Sequence, residues 1–242
     1  MKNSVKITTF SRILDLFYPC YCKGCGKFGY VFCHRCYFYN SRYNPPFSTK
    51  NDEDFNQILV SGLKEGVLEE LVKDYKYHSR RHYAPVFGGI LNETIKRVGE
   101  LGEKTVIVPL PTALKHIRLR GFDHIDAIAR EFSRLSGFPV LKVLERAFDT
   151  VQVGSSNEER KKQARRAYRV SREDFERFLD NFSEVDLRKT HFLLVDDVWT
   201  TGASMRAAGK VLKGELIRRG IKLKDIKISA IVILKNNGYE FN

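Results

Sequence analysis

Apolar positions along this chain recur in two rhythms, one of three to four residues and one of unbroken short runs. Between positions 56 and 73, Ile58, Leu59, Leu63, Val67, Leu68, Leu71 and Val72 fall mostly three or four apart, which predicts a helix despite Gly62 and Gly66. A second helix is predicted from Pro85 to Ile95, after the basic stretch HSRRHY at 78–83. TVIVPLP at 105–111 is a β-branched run closed by proline and predicts a buried strand. From Asp123 to Leu135, the residues Ile125, Ile128, Ala129 and Phe132 line one helical stripe, and a short strand is expected around Val140 and Leu141. HFLLVDD at 191–197 reads as a strand ending in acids. A turn and a helix over about 203–218 follow, and ISAIVIL at 228–234 makes a last strand. Strand, loop, helix and strand in that order predict an α/β fold, a parallel sheet with flanking crossover helices.

The N-terminal stretch has another character. SRILDLF at 11–17 suits one short amphipathic helix, and NSRYNPP at 40–46 breaks regular structure before the acidic cluster Asp52, Glu53 and Asp54. The expected division is a small module over 1–47 and a larger domain over 48–242. All five cysteines lie in the first part: Cys20, Cys22, Cys25, Cys33 and Cys36. Such clustering argues against a disulfide scaffold and for a local metal site. Cys22-x-x-Cys25 and Cys33-x-x-Cys36 supply four thiolates, the usual set for structural zinc, with Cys20 and His34 as alternate ligands. Redox chemistry at a Cys-x-x-Cys pair is the competing reading. Four protein ligands leave no open position for a substrate.

Composition narrows the class further. At 242 residues and 43% hydrophobic, the chain can bury a core and is not of disordered composition. Its 42 basic against 29 acidic residues give a formal charge of +13, which attracts phosphates, nucleic acid or anionic surfaces without choosing among them. No apolar run reaches a membrane span and no secretory cleavage pattern is evident, so a cytoplasmic location is expected. Aromatics around the cysteines, including Tyr21, Phe28, Tyr30, Phe32, Tyr37, Phe38 and Tyr39, interleave with Lys23, Lys27, Arg35 and Arg42. They suit either base stacking with phosphate contacts or simple cover for the metal site.

Candidate chemistry concentrates in LLVDDVWTTGAS at 193–204. A buried strand ending in Asp196 and Asp197 brings carboxylates to the rim of a sheet, where ligands of parallel sheets bind. Thr200, Thr201, Gly202, Ala203 and Ser204 then make a small-residue turn whose amides and hydroxyls can cradle a phosphate, with the acids one sugar ring away. The plainer reading is that Asp197 ends the strand and Thr200 or Thr201 caps the helix.

The arrangement closely resembles the phosphoribosyl diphosphate signature of type I phosphoribosyltransferases. That resemblance implies Asp196 and Asp197 on the ribose hydroxyls, residues 200–204 on the 5′-phosphate, and Pro109, Leu110 and Pro111 as a further phosphate element. It also implies Mg²⁺ with the diphosphate, and Arg118, Arg120, Arg146 and Arg160 are the cations expected near the leaving group. More closely, the chain resembles the ComF family of bacterial phosphoribosyltransferase-like proteins associated with competence. The resemblance rests on the two cysteine pairs, Val108-Pro109-Leu110-Pro111, Arg118-Leu119-Arg120-Gly121-Phe122, Gln152, and the segment from Glu159-Arg160 to Ala167-Tyr168. It departs after Gly-Phe, where Asp123-His124 replaces Asn-Gln, and Gln163 replaces the Asn of an Arg-x-x-Asn motif. The charge of Asp123 is expected to impair turnover of an anionic donor while leaving binding intact. The resemblance implies a competence protein that binds phosphoribosyl diphosphate, supports uptake of transforming single-stranded DNA and contacts a helicase. The alternatives are an active phosphoribosyltransferase acting on a nucleobase or amine, and a non-catalytic interaction scaffold.

Overall fold

The computed structural model describes residues 20–50, 52–102, 104–147, 167–181 and 187–238. The expected helix at 11–17, Gln152, Arg160 and Gln163 lie outside these residues. In chain order the helices are α1 (His34–Tyr43), α2 (Gly66–Tyr77), α3 (Ala84–Val98), α4 (Leu114–Arg120), α5 (His124–Ser136), α6 (Arg172–Asn181) and α7 (Ala203–Arg218). The strands are β1 (Phe47–Thr49), β2 (Ile58–Leu63), β3 (Thr105–Pro109), β4 (Leu144–Arg146), β5 (Tyr168–Val170), β6 (His191–Trp199) and β7 (Lys227–Lys235).

Five strands form one sheet in the order β1-β2-β7-β6-β3. The last four are mutually parallel, and β1 closes one edge antiparallel to β2. A parallel sheet is covered on both faces, so its central strands are continuous apolar runs in which alternate residues enter different cores. Phe192, Leu194, Ala230 and Val232 pack with Ala208, Leu212 and Leu216 of α7 and with Phe175 of α6. Leu193, Val195, Ile231 and Ile233 pack instead with Leu71 and Tyr75 of α2, Phe87 and Leu91 of α3, and Ile128 and Phe132 of α5. β4 and β5 pair as a separate two-stranded sheet.

The predicted helices 85–95, 123–135 and 203–218 form as α3, α5 and α7. Asp123 caps α5, accepting from the amides of Ile125 and Asp126, and Gly137 ends it in the left-handed conformation. The single helix predicted over 56–73 is instead β2, a turn and α2. Ile58, Leu59 and Val60 are each fully buried because both faces of β2 are covered, so the run shows no alternation that would declare a strand. Gly66 opens α2 at φ +58, a conformation that other residues rarely adopt. The strand predicted at Val140 is reduced to one parallel bridge with Ile107, held by Ile107 N–H to Pro139 O and Leu141 N–H to Ile107 O, both 2.8 Å.

The cysteine-bearing segment docks on the α2 face through buried Val31 and an ion pair of 2.6 Å between Lys23 and Asp74. Asn44, predicted only to break structure, grips the end of β2: its side chain accepts from Leu63 N–H at 2.6 Å and donates to Leu63 O at 2.8 Å. Its amide also bars a side chain at Gly62, where a Cβ would lie 2.9 Å from Asn44 Oδ1.

At the amino end of β6, buried His191 accepts the Gly102 N–H at Nδ1, 3.1 Å, which places its proton on Nε2 facing Ser229 Oγ at 2.8 Å. Burial, with Lys227 nearby, pushes its pKa down to about 4. Between about 6.5 and about 4 the unfolded chain therefore binds more protons at this site than the folded one, so stability falls as pH falls through that window. His191→Gln is expected to flatten this loss, which amounts to roughly 3 kcal/mol at most. Urea unfolding at pH 7 and pH 4.5 measures it; an unchanged difference between the two pH values contradicts the assignment.

Candidate functional site

The carboxyl end of β6 carries the acid pair, but the strand runs on through Val198 and Trp199, paired with Leu234 and Lys235 of β7. The carboxylates therefore sit within the last turns of the pleat and not beyond it. Strand alternation sends adjacent side chains to opposite faces, so Asp196 and Asp197 have different surroundings.

Asp197 faces α2 and α5 and is buried. Its Oδ2 lies 2.8 Å from Lys76 Nζ and 2.8 Å from His124 Nε2. Arg120 Nη1 reaches His124 Nδ1 at 2.9 Å, and a guanidinium can only donate, so Nδ1 accepts and the ring proton sits on Nε2, directed at Asp197. Arg120 also donates from Nε to Lys76 O at 2.8 Å, and Tyr75 OH donates to His124 O at 2.8 Å. Burial opposes ionisation of Asp197, but the His124 N–H and the Lys76 ammonium outweigh it and hold the carboxyl well below the usual range. Asp196 is half-buried and accepts the Asp197 N–H at 2.9 Å through Oδ1. Burial and then the neighbouring Asp197 charge push its pKa up to about 7, against the pull of Lys76 and Arg146.

The turn after β6 is exposed at Thr200, Thr201, Ala203 and Ser204. Gly202 has φ +75, and a Cβ there would lie 2.3 Å from the indole of buried Trp199, so both backbone angle and space demand glycine. Thr201 Oγ1 accepts the Ala203 N–H at 3.3 Å, a partial cap of the kind the plainer reading anticipates. The N-cap of α7 is glycine, so no side chain of its own covers the remaining first-turn amides. Arg206 in that turn is held elsewhere: its guanidinium binds Asp52 at 2.9 and 2.7 Å and Asp54 at 3.2 Å, and stacks 5.6 Å from the Trp199 ring centre. The acidic cluster that marks a boundary in the sequence is thus a clamp on the start of α7.

The structure brings Asp196, Asp197, Arg120 and the Pro109–Pro111 loop together. Leu110 N–H donates to Val195 O at 3.0 Å, and Arg146 reaches Pro111 O at 3.3 Å from Nε. Arg118 is exposed on α4, whose seven residues include no buried side chain. The charge of Asp123, expected to face an anionic ligand, is engaged by two amides at the start of α5 and by Thr112 Oγ1 at 2.8 Å. A helix N-terminus favours such a charge. Sequence reading gives Lys76 and His124 no role because they come from other elements, His124 from 73 positions away; only His124, as a departure from the pattern the chain resembles, marks the place.

The second candidate centre is the four-cysteine group. The sulfurs of Cys22, Cys25, Cys33 and Cys36 all lie within 4.8 Å of one another, and Cys20 and His34 are not among them. Cys25 and Cys33 sulfurs are 3.7 Å apart, which fits the edge of a tetrahedron of Zn–S bonds about 2.3 Å long. The first knuckle closes by Cys22 N–H to Lys27 O at 2.9 Å and Gly26 N–H to Cys22 O at 2.7 Å, with Gly26 at φ +72. Gly24 lies against the cluster, where a Cβ would meet Cys36 Sγ at 2.8 Å. Burial opposes a Cys22 thiolate, yet amides of Cys33, Gly24 and Cys25 bring its pKa down to about 7, while burial and the other sulfurs push Cys33 and Cys36 up. Four converging sulfurs that repel each other's ionisation are a donor set suited to a structural zinc ion.

No protein-family model matches the chain, and no curated protein matches it. What stands is an α/β fold of the kind that carries many enzymes, a group of four cysteines able to hold a metal, and, among the described residues, no helix long and apolar enough to cross a membrane. Purified full chain is expected to hold about one zinc per molecule and to lose thermal stability on chelation. Gly24→Ala is expected to weaken metal retention by displacing Cys36; metal content equal to wild type after dialysis against chelator contradicts that geometry.

Proposed function

We propose that the carboxyl end of β6 binds the phosphorylated ribose of phosphoribosyl diphosphate and that the chain serves as a ComF-like competence protein. The observation that carries this reading is the exposed, glycine-dependent turn at 200–204, set at the carboxyl end of a central parallel strand beside an acid pair. Thr200, Thr201, Gly202, Ala203 and Ser204 take the 5′-phosphate through amides and hydroxyls at the start of α7. Asp196, the less buried acid, accepts a ribose hydroxyl, and Asp197 shares that role when its present partners yield. Pro109, Leu110 and Pro111, with Arg118, Arg120 and Arg146, serve the diphosphate end. Mg²⁺ bound with the ligand supplies neutralisation of the diphosphate charge.

The division at 47–48 separates the metal module from this domain in the same proposal. Exposed Tyr21, Phe28, Phe38, Tyr39 and Tyr43 on the module favour single-stranded DNA as its partner, with Lys27, Arg35 and Arg42 for the phosphates. A helicase contact follows from the resemblance alone. Transfer of ribose 5-phosphate to an acceptor is the second reading, favoured by Asp123 being engaged at the cap of α5.

Phosphoribosyl diphosphate with Mg²⁺ is expected to raise the melting temperature, since a ligand at a hundred times its Kd adds about 2.7 kcal/mol of stability. Asp196→Asn is expected to abolish most of that shift. Absence of any shift at millimolar ligand rejects the phosphoribosyl site and leaves the scaffold reading. Pyrophosphate release across candidate acceptors separates transferase from binding protein, and DNA affinity that does not fall with added salt rejects a phosphate-contacting DNA surface.

A further inference from the structure

Lys76 occupies the last turn of α2, an element outside the acid-and-turn signature. Its ammonium shares Asp197 Oδ2 with His124, and the two donors differ in freedom. The Lys76 side chain is 20% exposed and sits on a flexible stem, whereas His124 is 8% exposed, held at its ring by Arg120 and at its carbonyl by Tyr75. If Lys76 leaves, Asp197 keeps one fixed partner and gains a vacant lone pair. The departing ammonium, however, is costly to leave unpaired in a largely buried place, so it moves only toward another anion.

We infer that Lys76 is a specificity-determining cation of this site. Paired with Asp197, it transfers to a second anionic group on an arriving ligand and so frees Asp197 Oδ2 for a sugar hydroxyl. The inference rests on the phosphoribosyl reading and deepens it. α7, which the phosphate turn opens, packs on one face of the sheet, while Lys76 comes from a helix on the other, with the acid pair between. A ligand that engages both therefore carries anionic groups at two ends of a pentose. Ribose 5-phosphate has one such group; it satisfies the turn and leaves the Lys76–Asp197 pair closed. A pentose 5-phosphate with a diphosphate at the far end satisfies both.

Calorimetric titration of the full chain with ribose 5-phosphate and with phosphoribosyl diphosphate, each with Mg²⁺, tests this. Wild type is expected to prefer the diphosphate by about tenfold or more, the scale of one charge-assisted contact. Lys76→Met is expected to cut that preference about tenfold through lost diphosphate affinity, with ribose 5-phosphate bound as well as before or better because Asp197 Oδ2 is then open, and Lys76→Arg to retain part of the preference. A second measurement needs no variant: amine acylation of Lys76 in wild type, followed by mass spectrometry, is expected to slow with the diphosphate and to stay constant with ribose 5-phosphate. Equal losses for both ligands in Lys76→Met, no loss for either, or equal protection by both ligands overturns the inference. Failure of wild type to bind either ligand overturns the phosphoribosyl reading itself, and this inference with it.

Discussion

The buried carboxylate of Asp197 ties together elements that the sheet alone would leave independent. Lys76 lies at the end of α2, His124 begins α5 and Arg120 ends α4; Asp197 at the carboxyl end of β6 pairs with the first two, and Arg120 bridges the Lys76 carbonyl and the His124 ring. A charge in that position has to be paired and hydrogen-bonded to be tolerated. The pairing orients His124 through its tautomer, sets the end of α2 through the Lys76 carbonyl, and places cations at the rim where ligands of parallel sheets bind. Thr112 and Asp123 extend the same network to the start of α5.

One step along the strand, Asp196 feels Lys76 and Arg146 at a distance but makes no ion pair with them among the described residues. Alternation puts it on the face covered by α7, half-buried, with the neighbouring amide as its hydrogen-bond donor. Two acids adjacent in sequence thus do different work: one is a fixed negative charge that assembles its surroundings, and the other is a carboxyl whose ionisation is opposed by burial and by that charge. The turn beyond them is equally dependent on context. Gly202 is required by the Trp199 indole beneath it, and Trp199 is in turn covered by Phe55 and Arg206, the latter clamped by Asp52.

The metal module follows a more local logic. Its four sulfurs come from two short knuckles; the Cys22 and Gly26 amides close the first one, and the amides of Cys33, Gly24 and Cys25 favour the Cys22 thiolate. Gly24 and Gly26 serve different needs there, the first by yielding space to Cys36 and the second by adopting a left-handed turn. The module is joined to the rest by Val31, by the Lys23–Asp74 pair and by Asn44 at the end of β2, so it rests on the same face of the sheet as Lys76 and His124.

The sequence by itself determined the features that depend on near neighbours. The helices α3, α5 and α7 follow from apolar spacing, β3, β6 and β7 from short apolar runs, and the cysteine group from two Cys-x-x-Cys spacings, because each is set by contacts a few residues long. Tertiary structure decided the rest. It turned the stretch from Ile58 to Leu63 from helical spacing into a doubly covered strand, and it converted the Asp52–Asp54 cluster into a clamp on Arg206. It also divided the labour of Asp196 and Asp197. These outcomes depend on which distant side chain arrives opposite a residue, and neither periodicity nor motif spacing carries that information.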